Sequence, residues 1–169
     1  GDLTTENFAI RENMTGYLAV EKGEFSSTEH DGLLKNIWYW GYNAIDFSNN
    51  IISGVARFGQ YDEKIEHQHI AEAKFIRAYI YFYLLAVYGD QALLGNDNGD
   101  GVVLNLVPYN GYNPDKISGR ASNAEIWGLI IKDLEEAIPD LPANAPDIKS
   151  RIRANKAAAQ ALLSRVYLY

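Results

Sequence analysis

The residue types best suited to holding a ligand lie between Gly89 and Gly119. This stretch has no sustained period, and connections of more than about 15 residues without one are usually functional or disordered. Its turn-prone centre at 109–114 has two aromatic rings and two amides close together. An aromatic ring can cover the apolar face of a sugar, while Asn supplies a donor and an acceptor for its hydroxyls. The sequence therefore predicts a sugar-binding site formed by Asn96, Tyr109, Asn110, Tyr112 and Asn113.

A second group of aromatic residues lies upstream, at Trp38, Trp40 and Tyr42. Trp38 and Tyr42 are four residues apart and share one face of a helix, where aromatic side chains usually fill an interface. Trp40 points to another face, so we add Trp40 to the predicted sugar-binding residues. One alternative stays open, because Tyr109 and Tyr112 could instead fasten the loop to the helices.

Several metal and catalytic motifs are only partly present. Residues 96–101 have the pattern Asn-x-Asn-x-Asp-Gly, as at the start of a calcium loop, but Val107 occupies the position of the bidentate Glu. Calcium binding by this segment therefore stays open. Glu66 and His69 have the spacing of a di-iron ligand pair, yet the sequence has no second such pair. We predict no catalytic residue, no metal site and no cofactor.

These residues must be positioned by helices, and the most distinctive helix is expected at about residues 64–88. Its second half contains ten consecutive apolar or aromatic residues, Tyr79–Tyr88, and a helix that is apolar on every face is normally buried on every face. A membrane span needs about 20 apolar residues, whereas Glu72, Lys74 and Arg77 interrupt this stretch. We therefore predict a buried helix at the centre of a helical domain.

Four further helices complete the predicted organisation. They are expected at about residues 4–20, 28–55, 122–138 and 153–169. Ser122 and Glu125 have the spacing of a capping box. The helices pair as two predicted antiparallel hairpins, 28–55 with 64–88 and 122–138 with 153–169. The connection at 89–119 is one long irregular loop insertion in which a short strand is possible.

Three segments of the chain have the order and spacing of a family signature. They are Glu72–Asp90, with the sequence EAKFIRAYIYFYLLAVYGD, Arg120–Ala137 and Arg153–Tyr169. Together they resemble the SusD/RagB family, the surface glycan-binding lipoproteins of Bacteroidetes outer membranes. Trp38–Ile45 resembles, more loosely, the preceding helix, so the similarity covers about residues 30–169.

The resemblance implies an all-α fold of about five helices in tetratricopeptide-like hairpins. Family members are much longer than this chain. We therefore interpret residues 1–169 as a single helical domain, the N-terminal part of a longer SusD-like protein, with the loop insertion at 89–119.

The resemblance also implies a function without catalysis. Family members bind an oligosaccharide or polysaccharide nutrient and deliver it to a TonB-dependent outer-membrane transporter of the SusC type. The implied location is the extracellular face of the outer membrane, through a lipid anchor that is absent from this chain. Two alternatives stay open: a helical-repeat scaffold that binds only protein, and a glycan-degrading enzyme that uses loop acids such as Asp97 and Asp100.

Composition narrows the remaining classes of partner. The net charge of −7 and pI of about 4.9 argue against nucleic acid, because 15 basic residues are spread among 22 acidic ones. The absence of cysteine excludes a disulfide framework and a thiolate metal site. The first residues lack the basic start and apolar stretch of a signal peptide, so the predicted location rests on the resemblance.

Overall fold

A computed structural model describes residues 31–111, 118–143 and 152–169. Its elements, in chain order, are helix α1 (Asp31–Phe58), helix α2 (Glu63–Tyr88), a 3-10 turn (Ala92–Leu94), strand β1 (Asp100–Val103), strand β2 (Arg120–Ser122), helix α3 (Asn123–Ala137) and helix α4 (Lys156–Val166). The described part is mostly helical, which confirms the all-α prediction. The helix predicted at 4–20 lies outside the described residues.

The chain divides into two compact units, 1–42 and 43–169, whose boundary falls inside α1. In the described part of the first unit, the rings of Trp38 and Tyr42 are 4.7 Å apart between centroids, which confirms that they share a face. The interpretation of residues 1–169 as a single helical domain stays a prediction.

The core of the second unit lies between α2, α3 and α4. Helix α2 packs most extensively against α3, and α4 packs against α3 in turn. The core side chains of α3 recur every four residues, so they lie on one face of that helix. The small side chain of Ala159 on α4 is fully buried, as close helix approach requires. Side chains that are at most 9% exposed include Tyr81, Leu84, Leu85, Ile126, Ile130, Leu134, Ala159, Leu162 and Val166.

The start of α3 has the predicted capping box. The hydroxyl of Ser122 accepts a hydrogen bond from the Glu125 amide at 3.2 Å, and the Glu125 carboxylate accepts one from the Ser122 amide at 2.8 Å. These bonds satisfy two amide groups that the helix itself leaves without partners. The hydrogen bond from the Ser122 amide also lowers the pKa of Glu125.

The prediction that α2 is buried on every face is wrong for one face. Ile76, Tyr79, Tyr83 and Val87 are each 41–45% exposed, whereas Tyr81, Leu84 and Leu85 are at most 1% exposed. Helix α3 covers one side of α2, and β1 with the residues after it covers another. A third face of α2 therefore points outward in the described part of the chain. Among the described helices, none has the length and apolar character that a membrane span requires.

The loop insertion contains the short strand that its sequence made possible. Strand β1 pairs with β2 in antiparallel fashion, with Asp100 opposite Ser122 and Val103 opposite Arg120. The Arg120 guanidinium donates hydrogen bonds to the carbonyls of Gly101 and Tyr88, both at 2.6 Å. The strand pair is thereby fastened to the end of α2.

Candidate functional site

The chain after β1 is held against α2 by the hydroxyl of Tyr81. This hydroxyl accepts a hydrogen bond from the Asn105 amide at 2.7 Å and donates one to the Asn105 carbonyl at 3.1 Å. Tyr81 is 0% exposed, and burial raises its pKa to about 12. The phenol therefore keeps the proton that it donates to the Asn105 carbonyl over a wider pH range than an exposed tyrosine would.

Asn49 on α1 holds the same segment from the other side. Its side-chain nitrogen donates hydrogen bonds to the carbonyls of Asn105 at 3.1 Å and Val107 at 3.2 Å. Its side-chain oxygen accepts a hydrogen bond from Nη1 of Arg77 at 2.7 Å. Asn49 is 2% exposed, so each polar atom of its amide is buried with a partner.

Arg77 connects Asn49 to α3. Its Nε and Nη2 donate two parallel hydrogen bonds to the carboxylate of Asp133, at 2.7 and 2.8 Å, and the two side chains are only 9% and 2% exposed. Burial raises the pKa of Asp133, and the two hydrogen bonds from Arg77 oppose that rise. A buried ion pair requires good hydrogen-bond geometry, and here the guanidinium makes two parallel bonds to Asp133 and a third to Asn49. We refer to Asn49, Arg77, Tyr81 and Asp133 as the buried network.

The buried network presents a surface made of loop and helix residues. The amide of Tyr109 donates to one carboxylate oxygen of Asp46 at 2.5 Å, and the other oxygen accepts from the side chain of Asn50 at 3.2 Å. The ring of Tyr109 is 71% exposed, Asn110 is exposed, and Phe47 beside Asp46 is 68% exposed. We call Asp46, Phe47, Asn50, Tyr109 and Asn110 the loop–helix surface.

The chemistry of the loop–helix surface suits a neutral polar ligand with an apolar face. The exposed rings can cover C–H groups, and the Asn110 amide can both donate and accept hydrogen bonds. Asp46 adds a carboxylate whose position is fixed by its two hydrogen bonds. Because the backbone of the segment is already ordered, little conformational entropy would be lost on binding.

Asn96 is the remaining predicted site residue that the structure describes in the 43–169 unit. Its side chain donates hydrogen bonds to the carbonyl and the carboxylate of Asp90, at 3.2 and 3.3 Å. Asp90 follows the end of α2 at Tyr88. The bonds of the Asn96 side chain are therefore not made to residues of the loop–helix surface. Trp40 is 65% exposed on the 1–42 unit, and Tyr112 and Asn113 lie outside the described residues.

The calcium-like pattern at 96–101 gains no support from the side chains around it. The Asn96 amide nitrogen donates its hydrogen bonds to Asp90, which is not one of the residues of the calcium-like pattern. In the three described ranges, no group of three or more His, Cys, Asp or Glu side chains is arranged to hold a metal ion.

Sequence reasoning did not identify Asp46, Phe47 and Asn49 as contributors to a site. One signal was available, because Asn49 and Asn50 are adjacent inside a helix and Asn is an unfavourable residue there. The side chain of Asn49 bonds to groups outside the helix, whereas that of Asn50 bonds to Asp46 within it. The partners of Asn49 are backbone carbonyls more than 50 residues away, which no sequence pattern marks.

The fold and the loop–helix surface define a class: an all-α, tetratricopeptide-like protein that presents aromatic and amide groups on the loop between α2 and α3. Within that class the chain belongs to the SusD-like family. The family model, described as starch-binding and associating with the outer membrane, matches residues 2–168.

Individual relatives agree with the family match. A SusD-like protein of Bacteroides ovatus is 29% identical over 146 residues, which are 85% of this chain and 24% of that protein. The crystal structure of a putative sugar-binding protein from Bacteroides vulgatus has a TM-score of 0.67 and 28% identity, over 79% of this chain and 29% of that one. A SusD superfamily structure from Bacteroides fragilis has a TM-score of 0.79 at 24% identity, over 93% of this chain and 35% of that one, and shows the shared fold. The chain thus spans about a quarter to a third of the length of these relatives.

Proposed function

We propose that this chain belongs to a non-catalytic protein that binds an oligosaccharide or polysaccharide through the loop–helix surface. The observation that carries the proposal is the exposed ring of Tyr109 on a backbone that the buried network holds in place. Membership of a family described as starch-binding supports a glycan as the ligand.

The proposed mechanism is capture by a preformed surface. The ring of Tyr109 covers the apolar face of one sugar ring, while Asn110 and Asp46 form hydrogen bonds with its hydroxyls. Trp40, Tyr112 and Asn113 stay predicted sugar-binding residues. Asn96 is not part of the proposal, because its side chain is bonded to Asp90, just after the end of α2.

The carboxylate of Asp46 is better suited to binding than to catalysis. Each of its oxygens already accepts a hydrogen bond from the protein, which fixes the orientation of the carboxylate. Glycoside hydrolysis requires two carboxyl groups that flank one bond, commonly about 5–9.5 Å apart. Asp97 and Asp100, the acids considered for an enzyme, belong to the turn and strand after α2 instead.

A titration that also measures turnover distinguishes the candidate functions. The full-length protein that carries this chain is mixed with a panel of purified glycans, binding is measured by calorimetry, and the same tubes are then analysed for shortened products. Binding without products is the expected result. Product formation would identify an enzyme, and the absence of binding to every glycan would favour a scaffold that binds only protein.

We further propose that the captured glycan passes to a SusC-type TonB-dependent transporter at the extracellular face of the outer membrane. The description of the family as associating with the outer membrane supports this location. Affinity purification of the full-length protein from detergent-solubilised membranes is expected to recover such a transporter in near-equal amount. Recovery of the protein without any transporter would contradict the delivery step.

A further inference from the structure

The outward face of α2 has the residue spacing of a helix-packing seam. Its exposed apolar side chains occur at intervals of three, four and four residues, so they form one continuous stripe along the helix. The stripe covers roughly 16 Å, or about three helical turns. Its members are Ile76, Tyr79, Tyr83 and Val87, each 41–45% exposed. We call these four residues the α2 seam.

Aromatic contacts extend the α2 seam towards the end of α4. The rings of Tyr79 and Tyr83 are 4.8 Å apart, and the ring of Phe82 lies 5.5 Å from Tyr83 and 6.2 Å from Tyr169. The guanidinium of Arg165 lies 5.3 Å from the centroid of the Phe82 ring. A positive charge therefore borders a continuous apolar and aromatic surface.

The geometry of the rings favours a protein helix over a sugar as the occupant. Tyr79 and Tyr83 are tilted by 56° to each other, and Phe82 meets Tyr83 edge-on at 82°. Rings that contact one another in this way offer ridges and grooves, whereas a sugar requires a ring face that is open over its whole area. The 3-4-4 spacing supplies ridges into which the side chains of a second helix can pack.

The length of the relatives indicates where such a helix would come from. This chain spans 24% of the Bacteroides ovatus relative and 29% of the Bacteroides vulgatus structure. About three quarters of a SusD-like protein thus has no counterpart in this chain. A half-exposed apolar stripe this long on a family-signature helix is unfavourable in water, because burial of its remaining apolar surface would be stabilising.

We propose that the α2 seam is covered by an amphipathic helix from the part of a SusD-like protein that this chain does not span. The helix has apolar residues at intervals of three and four over at least three turns. It also has an acidic residue near Arg165, because that guanidinium is the charge at the border of the seam. This inference concerns assembly of the whole protein, and it can hold even if the loop–helix surface binds no glycan.

Single cysteines test the proposal cleanly, because the chain contains none of its own. Tyr83→Cys and Val87→Cys place a thiol on the seam, and both replace exposed side chains, so neither disturbs the core. Lys132→Cys is the control, on a side chain that is 69% exposed on α3. Each variant is made in the full-length protein, and its rate of reaction with a maleimide is measured in the native protein and in the same protein unfolded in urea.

We expect both seam thiols to react on the order of 100-fold more slowly in the native protein than in urea, whereas the control thiol reacts at nearly the same rate in both. A benzophenone attached at position 83 is then expected to cross-link to a helix outside residues 1–169 of the same polypeptide. Seam thiols that react as fast as the control thiol in the native protein would overturn the proposal. So would a cross-link to residues 1–169, to a second copy or to another protein, and so would protection that appears only when glycan is added.

Discussion

Asn49→Ala is expected to release the loop–helix surface from the rest of the protein. Asn49 is the side chain that joins the loop, through two carbonyls, to the Arg77 and Asp133 ion pair. Alanine removes all three hydrogen bonds and leaves the buried Nη1 of Arg77 without its acceptor. No other side chain of the buried network contacts both the loop and the ion pair in this way.

The magnitude follows from the three bonds that are lost. The two bonds to carbonyls, at 3.1 and 3.2 Å, contribute about 0.5–1.5 kcal/mol each, and the 2.7 Å bond from the charged Arg77 contributes about 1.5–3 kcal/mol. Their sum is roughly 2.5–6 kcal/mol. Because bonds in one network are not additive, we expect the free energy of unfolding to fall by about 3–4 kcal/mol.

The neighbouring residue provides a matched control. Asn50 is on the same helix but exposed, and its side chain bonds only to Asp46, at 2.8 Å to the carbonyl and 3.2 Å to the carboxylate. Asn50→Ala makes the same chemical change and gives the same gain in helix propensity. We expect Asn50→Ala to change the free energy of unfolding by at most about 0.5 kcal/mol.

Two measurements on the full chain check the pair of variants. Urea unfolding gives the free energies, and hydrogen exchange at the Asn105 amide reports whether the loop still lies against Tyr81. Asn49→Ala should accelerate that exchange, and Asn50→Ala should not. If the two variants are equally stable, or if exchange at Asn105 is the same in both, the loop is not held by Asn49.

Three further variants test the helices and the buried tyrosine. Ser122→Ala should lower the free energy of unfolding, measured in urea, by about 1 kcal/mol because the helix cap is lost. Ser164→Ala is the control and should change this free energy little. Equal effects of the two variants would contradict the capping role. Leu85→Ala, at a fully buried position, should lower the free energy of unfolding by about 2–5 kcal/mol. Leu94→Ala, at a position that is 82% exposed, should leave it almost unchanged in the same assay. The pKa of Tyr81 is raised from 10.0 to about 12 in the folded protein, so the folded state holds the phenol proton more tightly than the unfolded state does. This difference contributes fully to the free energy of unfolding below pH 10. The contribution falls by about 2 kcal/mol as the pH rises from 10 to 12. In denaturant titrations between pH 10 and 12, the free energy of unfolding of Tyr81→Phe should fall much less than that of the unaltered protein. An equal fall in both proteins would show that Tyr81 is not its source.

The sequence predicts best those features that depend on neighbouring residues. The capping box of Ser122 and Glu125 needs only residues three positions apart, and it forms as predicted. The observed bounds of α2 and α3 agree closely with those predicted at 64–88 and 122–138, because periodicity and capping are local. The short strand in the loop follows from a local run of Val and Leu residues.

Features that depend on distant pairing were not predicted. The partners of Asn49 are the carbonyls of residues 105 and 107, and Arg77 meets Asp133 across 56 residues of sequence. Backbone carbonyls have no sequence signature, so the roles of Asn49 and Asp46 could not be found in advance. The sequence also overestimated the burial of α2, because apolar composition on every face does not show which neighbour covers each face.

The position of Asn96 shows the same limit. Its sequence distance from Tyr109 suggested one site, but the Asn96 side chain bonds to Asp90, whereas the Tyr109 amide bonds to Asp46 on α1. Composition identified a loop that contains suitable residues, and only the hydrogen bonds show which of them share a surface. Tyr109 and Asn110 are the predicted pair that lies on the loop–helix surface.

The most direct test of the proposed function is the affinity of the full-length protein for its preferred glycan when Tyr109 is changed to Ala. Tyr167→Ala is the control, because that ring is 62% exposed on the last turn after α4, away from the loop. Burial of the Tyr109 ring against a sugar should contribute about 1.5 kcal/mol to the free energy of binding. Tyr109→Ala removes this contribution and should therefore raise Kd roughly tenfold. Tyr167→Ala should bind as the unaltered protein does. An unchanged Kd for Tyr109→Ala, in a protein that still binds the glycan, would show that the glycan is held elsewhere.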